Sequence, residues 1–398
     1  MSKDDFAVLK QINNQFNSVR EKTVAICAPL HPEDCVVQTV VWASPPKWHL
    51  AHTTWFFEQF LLRPFKTNYK EFDSDFAYLF NSYYNTVGDR VMRFNRGSLS
   101  RPLLQKVLDY RKYVNDQVND FLGSSEATER LSEWHPILTL GLQHEQQHQE
   151  LLWTDLKHTL GTQPLKPAYS TSNPVDQKKE QAIGAVRMQE GLYSMGHRGE
   201  GFCFDNELGL HQVHLETFEI SKGLLPNDVM LAFIKDGGYE KHNLWHDEGW
   251  AWVNENAVKS PLYWNLGKDG WEQYELDGVN AIEPKAAIKH VSFYEAHALT
   301  QWLGERLPTE FEWEAAAPQL DWGQRWEHTN SAYLPYPRYQ KAAGAIGEYN
   351  GKFMVNQMVQ RGASVATAEG HSRTTYRNFF HPPMQWQFSG VRTVKNNL

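Results

Sequence analysis

Residues 143–150 read QHEQQHQE, and this stretch decides both the fold and the chemistry expected of the first half of the chain. His144 and His148 are four residues apart, so a helix would place both imidazoles on one face, where they can bind one metal ion. The stretch also matches the H-E-x-x-H pattern of zinc proteases, in which Glu145 would activate a zinc-bound water. It therefore predicts a helical metal site and leaves two kinds of enzyme open.

The residues before this stretch predict further helices. Apolar residues recur at helical spacing in three earlier segments, at residues 9–19, 48–62 and 104–121. In the third of these helices, Ser100 is a candidate N-cap, Pro102 fits the first turn and Gly123 marks the end. The histidine helix is expected from about residue 136 to about residue 160. Four such helices predict an antiparallel four-helix bundle, a fold that holds metals between facing helices.

A facial iron or zinc site needs a third protein ligand, which the second helix can supply. Its stretch WHLAHTTW, at residues 48–55, contains His49 and His52 three residues apart. The two side chains can share one helical face, so spacing alone leaves both as candidates.

The second half of the chain differs in composition from the first. Residues 162–184 contain three prolines among serines, threonines and lysines without an apolar period, which predicts a linker. Because 398 residues exceed one ordinary core, we predict one domain at residues 1–161 and another at residues 185–398. Strand-like pieces at 212–220 and 287–293, with helical pieces at 225–236 and 294–303, predict a mixed α+β fold for the second domain.

The composition of the chain indicates which classes of binding partner and which cellular compartment to expect. The net charge of −8, without a lysine or arginine run, gives no footprint for nucleic acid or an anionic membrane. Three scattered cysteines are too few for a disulfide framework and fit a reducing compartment. The first residues lack the pattern of a signal peptide, and no apolar run is long enough to span a bilayer. We therefore expect a cytoplasmic protein with small-molecule partners.

These motifs together resemble those of the ergothioneine-biosynthetic sulfoxide synthases, the non-haem iron family of the hercynine oxygenases. The resemblance covers essentially the whole chain and implies a DinB-like four-helix bundle followed by a domain similar to the formylglycine-generating enzymes, which are C-type-lectin-like. Residues 306–314, RLPTEFEWE, are similar to the most characteristic stretch of that second fold. The resemblance also implies Fe(II) as the cofactor, with His52, His144 and His148 as its ligands, and so favours His52 over His49.

The resemblance further implies roles in substrate binding and catalysis. Tyr83 and Tyr84 match a tyrosine pair of the cysteine-using bacterial branch, and one of them would supply a phenol hydrogen bond or proton. Gln147 matches a substrate-binding glutamine. Asn378 and Phe379 match positions at the carboxylate and trimethylammonium ends of hercynine, where an aromatic face attracts the cation. The implied substrates are hercynine, cysteine and dioxygen.

Two positions depart from the actinobacterial branch of the family. That branch carries an acidic residue and an arginine that hold γ-glutamylcysteine, whereas this chain has Phe380 and Met384. We therefore predict that Phe380 lies in a substrate site for cysteine rather than for γ-glutamylcysteine. The implied reaction joins the cysteine sulfur to C2 of the hercynine imidazole and oxidises the sulfur to a sulfoxide, with water as the second product of dioxygen.

Four alternatives remain at this point. A selenoneine synthase using hercynine and a selenosugar would have the same metal site, and a γ-glutamylcysteine-dependent enzyme would differ only in its thiol site. A zinc protease is disfavoured because Leu151 and Trp153 occupy the stretch where the longer protease motif continues. A non-catalytic lectin-like binding module would leave the three histidines without a role.

Overall fold

The structure, a computed structural model, describes residues 3–82, 84, 88–176, 181–199, 201–341, 347 and 350–395. The chain forms two compact units, Met1–Leu165 and Lys166–Leu398. The division between the two units falls within residues 162–184, the predicted linker. In this stretch, the side chain of Asp176 is 7% exposed and forms ion pairs with Lys289 and with Arg325 at 3.0 Å, so this residue packs against the rest of unit 2.

The regular secondary structure of unit 1 is helical in its described residues. Its helices are α1 (Lys3–Cys27), α2 (Pro46–Phe57), α3 (Arg63–Phe65), α4 (Phe76–Leu79), α5 (Leu104–Leu122), α6 (Ser125–Glu129) and α7 (Leu131–Gly161). A π-helical turn, Glu58–Leu62, joins α2 to α3 without a break. The four long helices pack on one another, α1 against α7 and α2 against both α5 and α7. The helical first unit of the predicted two-domain layout is confirmed, whereas its assignment as a DinB-like bundle remains a prediction.

Helix α5 buries the apolar stripe expected from its sequence. Val107, Tyr110, Val114 and Val118 recur every three or four residues and are fully buried. The helix ends at Leu122, immediately before Gly123, as predicted. The predicted N-cap at Ser100 is wrong, because the helix begins at Leu104 and no side chain caps it.

The start predicted for the histidine helix is also wrong. Helix α7 begins at Leu131, and Pro136 lies inside it rather than at its first turn. Trp134 explains the extension: its side chain is fully buried, and its indole nitrogen donates to the carbonyl of Ala127 at 2.8 Å. Tertiary packing therefore outweighs the helix-breaking tendency of the proline. Among the described residues, no helix combines the length and the apolar character needed to cross a bilayer.

Unit 2 mixes short strands with short helices. They are, in chain order, β1 (Ala185–Met188), β2 (Gly191–Met195), β3 (His211–Leu215), β4 (Phe218–Ser221), α8 (Asn227–Lys235), α9 (Asp247–Glu255), β5 (Trp264–Gly267), β6 (Gly270–Glu275), β7 (Gly278–Ala281), α10 (Phe293–Trp302), β8 (Glu305–Arg306), α11 (Glu310–Ala316), β9 (Trp326–Ala332), β10 (Met358–Gly362), β11 (Asn378–Phe380), β12 (Ser389–Gly390) and β13 (Val394–Lys395). The described strands form two four-stranded sheets, in the orders β1-β4-β13-β8 and β11-β10-β9-β12, together with the pair β2-β3 and the meander β5-β6-β7.

Two predictions for unit 2 need correction. The piece at 212–220 is two strands, β3 and β4, which belong to different sheets. The piece at 287–293 is not a strand, since Ala287 makes only an isolated bridge and Phe293 begins α10. The overlooked signal was a capping box, in which Ser292 accepts from the backbone of Glu295 and the Glu295 carboxylate accepts from the backbone of Ser292. The helices expected at 225–236 and 294–303 are present as α8 and α10.

The stretch at 306–314 holds unit 2 together through its acidic residues. Thr309 caps α11 and forms a capping box with Glu312. Glu310 accepts from the guanidinium of Arg377 at 2.8 and 2.9 Å, and Glu314 pairs with Arg361. Paired in this way, these carboxylates support the fold.

Candidate metal centre

Helices α2 and α7 bring three histidines of unit 1 together. His52 comes from α2, and His144 and His148 come from adjacent turns of α7. One candidate ligand atom of each ring lies within 4.8 Å of the others, as a shared metal ion requires. All three side chains are buried. No other group of three or more His, Cys, Asp or Glu side chains in the described part of the chain is arranged in this way.

The environment keeps the three imidazoles neutral. Burial lowers the pKa of His144 to about 3, with His49 adding to the effect and Glu145 opposing it. Burial and neighbouring imidazoles lower the pKa values of His52 and His148 well below the ordinary 6.5. A neutral imidazole keeps one nitrogen lone pair, which is the form that binds a metal. The cluster is therefore ready for a metal at neutral pH.

His52 is oriented by its surroundings. Its Nδ1 lies 2.7 Å from the carbonyl oxygen of Phe80, to which it must donate, so the lone pair is on Nε2. That Nε2 is buried and has no hydrogen-bond partner among the described residues. The ring stacks on Trp48 at 4.4 Å and on Trp55 at 5.5 Å between centroids. A buried lone pair without a donor is the feature that a bound metal would satisfy.

His49, the other candidate from α2, lies beside the cluster rather than in it. Its Nε2 is 3.1 Å from the carboxylate of Asp155, and its Nδ1 is 2.9 Å from Nδ1 of His148. Both ring nitrogens are therefore engaged by protein groups. Asp155 was not among the predicted site residues, although it follows His148 by seven residues and so lies two helical turns away on the same face.

Glu145, which would be the base of a zinc protease, is committed to a buried ion network. Its carboxylate accepts from Arg20 at 2.8 Å, from Thr23 at 2.6 Å and from Arg111. Burial tends to raise the pKa of Glu145, but the charges of Arg111 and Arg20 and the hydrogen bonds outweigh it and lower the pKa to about 2. A carboxylate held by two guanidiniums is a poor general base, which argues against the protease.

Two of the other predicted residues of unit 1, Tyr84 and Gln147, are described by the structure. Tyr84 is buried, and its ring packs against Trp55 at 5.5 Å, which in turn stacks on His52. Tyr83 lies outside the described residues. Gln147 is half-buried on α7, between the two ligand turns.

The remaining predicted residues lie together on one strand of unit 2. Asn378, Phe379 and Phe380 form β11, and all three are half-buried. The Phe379 ring stacks on Tyr333 with centroids 4.0 Å apart, and Phe380 meets the edge of Trp386 at 5.3 Å. The strand thus carries an aromatic surface with the amide of Asn378 beside it.

Comparisons with known proteins agree with this two-part organisation. Residues 170–321 match the family model described as a sulfatase-modifying factor enzyme 1-like domain. The formylglycine-generating enzyme of Streptomyces coelicolor is 32% identical to this chain over a match that covers 34% of this chain and 46% of the enzyme's own length.

Longer matches exist to hercynine oxygenases. The enzyme of Mycolicibacterium thermoresistibile is 28% identical over 67% of this chain and 71% of its own length. That of Mycolicibacterium smegmatis is 27% identical over 64% of this chain and 70% of its own length. These matches confirm the family resemblance found in the motifs: the chain is related to the hercynine oxygenases, and this relationship identifies it as an oxidoreductase.

Proposed function

We propose that this protein is an iron(II)- and dioxygen-dependent sulfoxide synthase of ergothioneine biosynthesis, with hercynine and cysteine as substrates. In the proposed reaction, the C2–H bond of the hercynine imidazole and the S–H bond of cysteine are lost and a C–S bond forms. One oxygen atom of dioxygen ends on sulfur, and the other leaves as water. The observation that carries the proposal is the buried cluster of His52, His144 and His148 in a relative of the hercynine oxygenases.

The donor set fits iron. Three neutral imidazoles suit iron, zinc or copper, whereas calcium and magnesium prefer oxygen ligands. The buried Nε2 of His52 supports a ligand position there, because it would otherwise remain an unsatisfied polar atom. When bound by three protein ligands, iron(II) would supply adjacent open positions for a thiolate and for dioxygen. We propose iron rather than zinc for two reasons. The chain is related to the hercynine oxygenases, and Glu145 is unavailable as the base that a zinc protease needs.

Other residues would bind and orient the substrates. Gln147 carries an amide that can hydrogen-bond the hercynine imidazole, and Tyr84 a phenol that can donate a proton without being a strong acid. On β11, the aromatic face of Phe379 would attract the trimethylammonium group, and the amide of Asn378 would bind the carboxylate.

The proposed choice of cysteine depends on what the thiol site lacks. Phe380 presents a ring that already packs against Trp386, and Met384 is a half-buried apolar side chain. Neither offers a charge or a hydrogen bond to the glutamyl group of γ-glutamylcysteine. A charged group buried without a partner is costly, so the smaller thiol is favoured.

The test is aerobic incubation of the iron-loaded protein with hercynine and one donor at a time: cysteine, γ-glutamylcysteine or a selenosugar. Mass spectrometry should detect the cysteine sulfoxide conjugate of hercynine, and only when both iron and oxygen are present. Iron-free and anaerobic samples are the controls. Product from the selenosugar alone would replace the proposal with a selenoneine synthase, and zinc-dependent peptide cleavage would replace it with a protease. Hercynine binding with iron retained and no product would indicate a binding module.

A further inference from the structure

The histidine cluster continues into a buried chain of hydrogen bonds that runs from His148 through His49 to Asp155. We propose that His49 and Asp155 are positioning residues that fix His148 in the tautomer presenting Nε2 to the metal. The inference rests on the proposed function only in taking a metal to bind at the cluster.

The hydrogen bonds from His148 to Asp155 form an unbroken series. Nδ1 of His148 lies 2.9 Å from Nδ1 of His49, and Nε2 of His49 lies 3.1 Å from Oδ2 of Asp155. The same Oδ2 accepts from the backbone N–H of Ser44 at 2.8 Å, just before α2 begins. His49, His148 and Asp155 are 1%, 8% and 3% exposed, so little water competes for these contacts.

The direction of each hydrogen bond in this series follows from the acceptor at its end, the carboxylate of Asp155. An ionised carboxylate can only accept, so Nε2 of His49 must carry the hydrogen that points at Asp155. A neutral imidazole has one N–H, which leaves a lone pair on Nδ1 of His49. Two nitrogens 2.9 Å apart need one hydrogen between them, and only Nδ1 of His148 can supply it. The lone pair of His148 is then on Nε2.

The reversed direction would prevent metal binding. If Nδ1 of His49 carried the hydrogen, the hydrogen of His148 would be on Nε2, where a metal would have to bind. Acting through two successive hydrogen bonds, Asp155 therefore favours the tautomer of His148 that leaves the lone pair of Nε2 for a metal. His52 reaches the same arrangement by a separate route, since the Phe80 carbonyl holds its Nδ1–H. Two of the three rings thus present Nε2, one through a backbone carbonyl and one through a side-chain relay.

The hydrogen-bonded series His148–His49–Asp155, here called the relay, also joins the two helices that supply the ligands. His49 lies on α2, one turn before His52, while Asp155 and His148 lie on α7. A change at His49 should therefore alter the orientation of a ligand on the opposite helix without removing any ligand. Loss of such a hydrogen bond to a ligand histidine typically weakens metal binding by about 10- to 100-fold.

The experiment compares variants that keep or remove the acceptor for His148. His49→Phe removes it, His49→Asn places an amide oxygen near the position of Nδ1, and Asp155→Asn keeps the side-chain shape but removes the charge. Thr154→Val is the matched control, because Thr154 is fully buried beside Asp155 and its hydroxyl donates to the Leu151 carbonyl of its own helix. Anaerobic Fe(II) affinity is measured by chelator competition, and the absorption spectrum of bound Co(II) reports the ligand geometry.

We expect His49→Phe to weaken Fe(II) binding by about 10- to 100-fold and to change the Co(II) spectrum. His49→Asn should recover most of both properties, Asp155→Asn should be intermediate, and Thr154→Val should match the wild type. Unchanged binding and spectrum in His49→Phe, or no recovery in His49→Asn, would overturn the inference.

Folding and metal binding by the wild-type protein are checked separately. Circular dichroism of the metal-free variants reports folding, and if the His49 variants do not fold, wild-type affinity in Asp155→Asn overturns the inference. Failure of the wild-type protein to bind either metal would count against the proposed metal centre itself. Wild-type binding with insensitive variants would count against the relay alone.

Discussion

Replacing Glu145 by glutamine tests whether this residue supports the fold or performs catalysis. Its carboxylate is completely buried between the guanidiniums of Arg20 and Arg111, which are also buried. Glutamine keeps the size of the side chain but leaves two buried positive charges without a counter-ion. Breaking a buried ion pair from one side costs about 3 to 5 kcal/mol. For a unit of this size, that loss should lower the melting temperature by roughly 6 to 20 °C.

The pKa of Glu145 gives an independent value for the contribution of this carboxylate to the free energy of unfolding. A carboxyl group whose pKa falls from 4.5 to about 2 on folding contributes about 3 kcal/mol to the free energy of unfolding. Because the folded pKa is the lower one, this contribution is complete above about pH 4.5 and is lost as the pH falls towards about 2. The destabilisation caused by Glu145→Gln should therefore be largest at neutral pH and fall to somewhat less than half of that value at about pH 3.

The assay is thermal unfolding followed by far-ultraviolet circular dichroism, to which the long helices of unit 1 contribute strongly. Glu133→Gln is the control, since Glu133 lies on the same helix but forms a solvent-exposed pair with Arg130, whose loss should change the stability little. If Glu145→Gln melted like Glu133→Gln and lost only activity, the structural role would be refuted and Glu145 would become a catalytic candidate again.

Four further predictions concern the metal and the substrates. His52→Ala and His144→Ala should each retain only a small fraction of wild-type iron after identical reconstitution, and full occupancy in His52→Ala would contradict its assignment as a ligand. Cysteine should be used on the order of a hundredfold better than γ-glutamylcysteine, because Phe380 and Met384 offer the glutamyl group no charge; equal use in direct competition would refute this. Tyr84→Phe should slow sulfoxide formation about a hundredfold while hercynine affinity is retained, and an unchanged rate would identify Tyr84 as a packing residue. Because burial lowers the pKa of His144 to about 3, Fe(II) affinity should fall little between about pH 7 and about pH 5, whereas a tenfold loss per pH unit would indicate ordinary imidazoles.

Local patterns predicted the parts of this molecule that depend on local spacing. The four-residue interval between His144 and His148 was enough to place both rings on one face of a helix, and the apolar stripe of α5 with its glycine stop gave the end of that helix. The capping box at Ser292 could have given the start of α10 at Phe293, a residue that was instead assigned to a strand. These signals act within a few residues and can therefore be read in one sequence.

The features that were missed depend on contacts between distant parts of the chain. The start of α7 is set by the burial of Trp134, which no local propensity reports. The spacing of His49 and His52 does not distinguish a ligand from its support, because the difference lies in what each ring meets: Asp155 from another helix in one case and the carbonyl of Phe80 in the other. Likewise, the H-E-x-x-H pattern cannot show that Arg20 and Arg111 hold the glutamate.

The position of β13 determines when unit 2 can fold during synthesis. This strand follows the other described strands of unit 2 in the sequence but lies between β4 and β8 in the sheet, and Arg377 and Arg392 from the same part of the chain form ion pairs with Glu310 and Glu327. Until residues 377–395 have left the ribosome, one sheet lacks an inner strand, the buried carboxylate of Glu327 lacks the Arg392 guanidinium and that of Glu310 lacks its nearer guanidinium, Arg377. Unit 1 has no such dependence, because its helices and all three metal histidines lie within the first 165 residues. At usual translation speeds, unit 1 is complete roughly 10 to 50 s before residue 395 is made, so its three histidines can come together before the second unit exists.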